Sequence, residues 1–191
     1  MKQLILASAS PRRKQILEML GLRFIIHPSE IAERLTPGLQ PREQVESLSR
    51  QKALAVAPKF HDALILAADT MVTVGDEVIG KPKDAEDAKQ MLKKFNGRHH
   101  SIVTGFTLFD TQTKKIVTKS TKTKIWFRKM TDEEITAFVI KEMPLDKAGA
   151  YAIHELAAIF IEKIEGDYMG AIGISAFQLA RELKKFGIEI L

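Results

Sequence analysis

The 191-residue chain has no cysteine. That absence excludes disulfides, thiolate nucleophiles and cysteine-ligated zinc, and it suits a reducing compartment, so the expected location is the cytoplasm. No apolar run approaches the ~20 residues of a membrane-spanning helix, so no membrane association is expected. The sequence opens directly on a strand-like segment, and no signal peptide is expected. The G-x-S-x-G pattern of a serine hydrolase is missing. A zinc-binding H-E-x-x-H is missing too, because His154-Glu155 has no second histidine four residues after the first. His99 and His100 are adjacent, would face opposite sides of a strand, and cannot chelate one ion together; a structural or solvent-exposed role is expected for them. Internal repeats, low-complexity stretches and linkers are also lacking, so the length points to one domain over residues 1–191.

What is present is enough for a real core: 45% of the residues are apolar. The net charge is +5, but Thr111 to Lys129 holds seven basic residues and no acidic one, leaving −2 for the rest of the chain. A basic strand carrying Trp126 and Phe127 could touch nucleic acid. A solvated edge strand protected by its lysines explains the same residues and is the preferred reading.

Short apolar runs alternate with amphipathic segments. Strands are expected over Leu4–Leu6, Leu22–Ile26, Ala63–Ala68, Ile102–Phe109, Ile116–Phe127 and Leu156–Ile164. Met71–Val74 and Glu77–Ile79 read as a hairpin across Gly75-Asp76. Ser29 to Leu39, with Glu30 and Glu33, reads as a loop. Helices are expected from Pro41 to about Ala57 with a stripe of Val45, Leu48, Ala55 and Val56; after Asp84, with Ala88, Met91, Leu92 and Phe95; after the Thr131-x-x-Glu134 capping box, with Ile135, Phe138 and Val139; and from about Ala176 to Phe186, ending at Gly187. The mixture implies an α/β or α+β fold around a mixed sheet.

Chemistry-bearing residues gather at a few junctions. After the first strand comes Ser8-Ala9-Ser10-Pro11-Arg12-Arg13, and then Ile16, Leu17 and Leu20 on one helical face. Ser10 fits an N-cap and Pro11 the first helical position. A helix N-terminus beside two serines and two arginines is a ready anion site, with phosphate the obvious anion; an ordinary capped turn with two solvated arginines is the plainer alternative. Asp69 follows a buried strand, where it could hold a metal or act as a base, or simply cap a turn. Lys52 points along the middle of an apolar helical stripe, so it either snorkels or serves a site. Gly75-x-x-x-x-Gly80-Lys81-Pro82 resembles a P-loop only superficially: Pro82 has no hydroxyl for Mg²⁺, and the segment falls in a hairpin. Lys81 could bind phosphate outside that frame. Together, Ser8, Ser10, Arg12, Arg13, Glu33, Lys52, Asp69 and Lys81 have the chemistry of metal-assisted phosphoanhydride cleavage, though spacing alone cannot bring them together.

Four blocks go further. Leu4-Ile5-Leu6-Ala7-Ser8-Ala9-Ser10-Pro11-Arg12-Arg13, Ala68-Asp69-Thr70, Gly80-Lys81-Pro82 and Asp146-Lys147-Ala148-Gly149-Ala150-Tyr151 occur in an order and at separations that resemble the Maf family over nearly the whole chain. The resemblance implies an α/β fold similar to inosine triphosphatases, a mixed sheet with flanking helices and two lobes around a cleft. It implies a cytoplasmic homodimer that cleaves nucleoside triphosphates between the α and β phosphates, releasing a monophosphate and pyrophosphate. A house-cleaning role in the nucleotide pool and a Mg²⁺, Mn²⁺ or Co²⁺ cofactor go with it. By the same resemblance Asp69 is the general base, Glu33 and Asp69 hold the metal, and Lys52 and Lys81 serve catalysis. Ser8, Ser10, Arg12 and Arg13 grip the substrate, and Arg12 and Thr70 match positions linked to substrate choice. A-D-T and D-K-A-G-A-Y resemble the branch acting on dTTP and UTP; the branch acting on N7-methyl-GTP tends to S-D-Q. One departure stands out: the dTTP/UTP branch carries Gln after A-G-A-Y-x-I, and this chain has His154. A neutral histidine also offers one donor and one acceptor to a pyrimidine edge, with a different reach and a charge that can change near neutral pH, which leaves room for modified nucleotides. The competing function is a non-catalytic nucleic-acid-binding or division-regulating protein using the basic 111–129 segment; with the carboxylates and lysines intact, the enzyme is favoured and nucleic acid is not the expected partner.

Overall fold

A computed structural model of the chain describes residues 2–32, 34–75 and 77–191. Glu33 and Asp76 therefore lie outside the described residues, and with them the metal-holding role expected of Glu33 and one residue of the 75–76 turn.

Among the described residues, seven strands form one mixed sheet in the order β2-β1-β3-β5-β6-β7, with β4 paired to β3. They are β1 (Gln3–Leu6), β2 (Phe24–Ile26), β3 (Ala63–Val74), β4 (Glu77–Ile79), β5 (His99–Asp110), β6 (Ile116–Phe127) and β7 (Ile161–Glu165). The helices are α1 (Pro11–Met19), α2 (Pro41–Val56), α3 (Ala85–Phe95), α4 (Asp132–Glu142), α5 (Tyr168–Ile172) and α6 (Ala176–Lys184). This is the α/β architecture expected from the alternation of elements.

Strand alternation sends side chains to two faces. On one face Leu4, Leu6, Leu64, Leu66 and Phe106 pack against Leu17 of α1 and Leu179 and Leu183 of α6. On the other, Ile5, Ile65 and Ala67 pack under Ala53 and Val56 of α2. The far end of the sheet has its own, more aromatic core: Phe95, Phe127, Phe138, Phe160 and Tyr151, between α3, α4 and the sheet. The helix α2 approaches β5 at backbone distance. A Cβ on Gly105 would come within 2.8 Å of the Val45 carbonyl carbon, so only glycine fits there.

The strand β3 decides where the site can form. Its first turn of residues pairs in parallel with β1, ending at Leu6 opposite Leu66, and its last pairs antiparallel with β4, from Val72 opposite Ile79. Its other edge is covered by β5 from Leu64 to Thr73. Asp69 and Thr70 sit in the interval between β1 and β4. The expectation that the strand ends at Asp69 is therefore corrected: β3 runs on to Val74, and it is the neighbouring strand that stops.

Other boundaries shift for physical reasons. Leu156–Phe160 is a 3-10 helix, and only Ile161–Glu165 pairs as a strand. The apolar run alone does not distinguish the two. In α2 the buried small residue is Ala53, whereas Ala55 is exposed. The strand β6 is not an edge along its whole length, because β7 pairs with Lys124–Phe127. The capping box of α4 forms as expected, with the Thr131 hydroxyl accepting from the Glu134 N–H at 3.2 Å and the Glu134 carboxylate accepting from the Thr131 N–H at 2.9 Å. No described helix is long and apolar enough to cross a membrane.

Candidate active site

A cleft of about 540 Å³ opens at the interval between β1 and β4. Its lining brings together nine of the residues singled out in the sequence: Ser8, Ser10, Arg12, Arg13, Lys52, Asp69, Thr70, Lys81 and His154. They come from five separate parts of the chain, which is why spacing could not assemble them.

The turn after β1 builds the first wall. Ala7 N–H continues the ladder to the Leu66 carbonyl at 2.8 Å, and the chain then leaves the sheet to start α1 at Pro11. Ser10 occupies the N-cap position, but its side chain makes no capping hydrogen bond. Instead the Ser10 N–H donates to the Ser8 hydroxyl at 3.3 Å. That hydroxyl also accepts from Arg13 Nη1 at 2.9 Å, while Arg13 Nη2 donates to the Thr70 hydroxyl at 3.2 Å and Nε to the Gly173 carbonyl at 3.4 Å. Arg13 thus ties the turn to β3 and to the end of α5. Thr70 is steadied in turn by Thr104 on β5, hydroxyl to hydroxyl at 3.0 Å.

Asp69 is 6% exposed and Lys52 is 8% exposed, and Lys52 Nζ donates to Asp69 Oδ1 at 2.6 Å. The two readings of Lys52 are thereby separated: it does not snorkel to solvent but runs from α2 into the cleft. Buried charges are tolerated only when paired, and this pair satisfies that condition at the point where β3 loses its neighbour.

The far wall is the segment Ala148 to His154, with Asp146 at its rim. The His154 side chain keeps 26% of its exposure, with Nε2 3.8 Å from Glu155 Oε1. Burial lowers its pKa, the Glu155 carboxylate pulls the other way, and the charges of Arg12 and Lys147 push it down again. The balance favours the neutral ring, which has one donor and one acceptor.

The expected groups missed three features. Asp146 lines the cleft, and its only sequence signal was membership of the D-K-A-G-A-Y block. Gly173 supplies a carbonyl to Arg13 from 160 positions away, and no local pattern marks such a contact. His100 is 1% exposed behind Tyr151 while His99 is exposed, so the two histidines do face opposite ways.

Among the described residues, no three His, Asp or Glu side chains group as a metal cage. The cleft nevertheless offers hard oxygen donors, with Asp69 the buried carboxylate. Mg²⁺ and similar ions are commonly held by one or two carboxylates together with substrate phosphates, so this donor set fits an ion that arrives with a triphosphate.

The fold defines a class first. The chain aligns with the structure of the Staphylococcus aureus Ham1 protein at a TM-score of 0.54 and 14% identity, covering 98% of this chain and all of that one. At that identity the likeness shows a shared fold. The sequence then gives the family: residues 3–186 match the Maf family model, described as Maf-like protein, and the chain belongs to the Maf family. Relatives include the dTTP/UTP pyrophosphatase of Methanosarcina barkeri, 41% identical over 191 residues, covering all of this chain and 97% of that protein. The dTTP/UTP pyrophosphatase of Carboxydothermus hydrogenoformans is 44% identical over 185 residues, covering 97% of this chain and 99% of that one.

Proposed function

We propose that this chain is a nucleoside triphosphate pyrophosphatase that hydrolyses the α–β phosphoanhydride of dTTP and UTP, releasing the monophosphate and pyrophosphate. The observation that carries the reading is the buried Lys52–Asp69 pair in a cleft also lined by Ser8, Arg12, Arg13 and Lys81. Cations and hydroxyls of this kind match the charge of a polyphosphate, and a carboxylate among them can take a proton from water. Relatives named dTTP/UTP pyrophosphatase at 41–44% identity over nearly the whole chain support the substrate class.

In this reading Asp69 accepts the proton as the water oxygen bonds to the α-phosphorus. The bond from the α-phosphorus to the bridging oxygen breaks, and pyrophosphate leaves with the electron pair. Lys52 holds the carboxylate in place, while Arg12, Arg13 and Lys81 balance the charge that gathers on the leaving group. Asp69, with Glu33, would hold a divalent cation, Mg²⁺, Mn²⁺ or Co²⁺. When bound, that cation supplies charge neutralisation along the phosphates. Thr70 and His154 meet the base. The neutral His154 ring favours a pyrimidine edge that presents both an N–H and a carbonyl. We further assign the chain to a cytoplasmic, homodimeric, two-lobed single domain that clears surplus or non-standard nucleotides.

A panel of nucleoside triphosphates with Mg²⁺ and Mn²⁺, scored for monophosphate plus pyrophosphate against diphosphate plus phosphate, tests the proposal. Turnover of dTTP and UTP to the first pair is expected; purine-only turnover sinks the pyrimidine assignment, and release of phosphate sinks the α–β cleavage. Three of the seven cations of the basic segment are engaged within the protein: Lys115 lies over the Phe186 ring, Lys114 donates to the Thr111 carbonyl, and Arg128 pairs with Glu134.

A further inference from the structure

A second buried polar pair lies outside the chemistry described so far. His100 stacks on Phe95 with ring centroids 4.1 Å apart and meets Phe127 edge-on at 5.0 Å. Its Nε2 hydrogen-bonds the Tyr151 hydroxyl, and its Nδ1 is buried with no partner. A neutral imidazole and a phenol bring one N–H and one O–H, and the contact between them uses one. In either tautomer one donor is left over in apolar surroundings. An apolar side chain among Phe95, Phe127 and Tyr151 would bring no orphaned donor of its own, so burial of apolar surface alone does not account for the pair.

Tyr151 is where the pair reaches the cleft, because Tyr151 itself lines it, followed by Ala152, Ile153 and His154. The chain enters this segment through two successive left-handed residues, Gly149 at φ 70° and Ala150 at φ 61°. Ala150 is buried and is not glycine, so its backbone is strained unless its surroundings hold it. The Gly149 N–H donates to the Gly80 carbonyl at 2.9 Å, which ties the turn to the residue before Lys81. A Cβ on Gly149 would press on Val72 at 3.1 Å and Phe95 at 3.3 Å. The turn is thus pinned at its start by backbone and packing. The residue after it is pinned by a directional bond to His100.

We propose that His100 is a positioning residue: by holding the Tyr151 hydroxyl from behind, it fixes the Tyr151–His154 wall against which the nucleobase docks. This rests on the pyrophosphatase reading above and divides the substrate in two. Arg12, Arg13 and Lys81 grip the phosphates without help from His100, whereas the base depends on it. Burial, aided by the neighbouring His99, pushes the His100 pKa down to about 3, so the ring stays neutral through the ordinary assay range.

The test compares UMP and pyrophosphate binding by calorimetry, together with KM and kcat for UTP, in the wild type, His100→Phe, His100→Gln and Tyr151→Phe. A slightly displaced wall is expected to weaken UMP binding and raise the KM for UTP on the order of tenfold in His100→Phe, with pyrophosphate binding changed by less than about twofold and kcat by less than about threefold. Tyr151→Phe keeps the ring and removes the hydroxyl, so it should reproduce the effect; it decides the matter if His100→Phe does not fold. His100→Gln retains a group able to bond the hydroxyl and should recover part of the loss. Equal weakening of UMP and pyrophosphate, or unchanged UMP binding, overturns the positioning role while leaving the pyrophosphatase reading intact. A wild type that neither hydrolyses UTP nor binds pyrophosphate overturns both.

Discussion

Two buried polar pairs border the cleft, one on each side, and they differ in kind. Lys52 and Asp69 are charged, both line the cleft, and their bond crosses from α2 to β3. His100 and Tyr151 are neutral, sit among aromatic rings, and only Tyr151 lines the cleft. A buried ion pair adds little net stability over a well-packed apolar replacement, so its presence is better explained by charge held ready where phosphate charge develops. The neutral pair leaves an orphan donor and gives direction in return. The reacting side of the cleft is therefore organised by electrostatics and the base side by packing with one polar pin. Substitutions should separate the two.

The largest expected difference is at Asp69. Asp69→Asn keeps an oxygen to accept from Lys52 but cannot take up a proton from water. Metal-dependent pyrophosphate release should fall by at least about 10³-fold, with a far-UV spectrum and cooperative melting like those of the wild type. An active Asp69→Asn enzyme would remove Asp69 from the base role and make the charged side no different from the neutral one.

Lys52→Met comes next, and it sharpens the comparison through stability as well as rate. The substitution keeps the apolar stem and strands a carboxylate that is 6% exposed. A cost of about 3–5 kcal/mol at neutral pH is expected by urea denaturation, since breaking a buried pair leaves an uncompensated charge. The double variant Lys52→Met/Asp69→Asn should regain a large part of that loss, because the stranded charge is gone. If single and double variants lose the same stability, the ion pair is incidental packing.

How much of this was legible beforehand follows from how local each feature is. The β1–turn–α1 unit was readable because Leu4 to Leu20 carries its own signals: an apolar run, serines, a proline at the first helical position and a helical stripe. The capping box at Thr131 and Glu134 is equally local. Ser10, by contrast, takes the N-cap position while its side chain makes no capping hydrogen bond, a detail of side-chain direction that composition does not encode. The apolar run stops at Ala68 but the strand does not, since a strand's length depends on its neighbours: β5 pairs with β3 as far as Thr73 and β4 as far as Val74, while β1 stops at Leu6. The segment after Leu156 read as strand because short apolar runs suit either state. The site itself needed Asp69 and Lys52 to meet across 17 positions and Arg13 to reach Gly173 across 160. No period in the sequence reports that, and only the four family blocks made the grouping visible. Of the two roles that the adjacent histidines allow, the structural one holds for His100 and the exposed one for His99, but nothing local pairs His100 with Tyr151.

The smallest effect tests the neutral side alone, through acid stability. The His100 pKa is lowered from an ordinary 6.5 to about 3, chiefly by burial. Below pH 6.5 the unfolded chain therefore takes up a proton that the folded chain refuses. The stability contributed by the neutral buried ring is complete above pH 6.5 and is lost progressively as the pH falls towards 3. Asp110 contributes only at the acid end of that window, as the pH falls below its ordinary 3.8, and it does so equally in the wild type and in His100→Phe. Burial opposes its ionisation, but hydrogen bonds from Lys2 and from Thr113 and Gln112 hold its pKa at about 2. Replacing His100 with Phe should therefore flatten the decline of unfolding free energy between pH 6 and 4 by up to about 1.4 kcal/mol per pH unit, the slope of one proton. Parallel curves for the wild type and His100→Phe would mean that the ring is not held neutral, and the contrast between a charged and an uncharged side of the cleft would then rest on Lys52 and Asp69 alone.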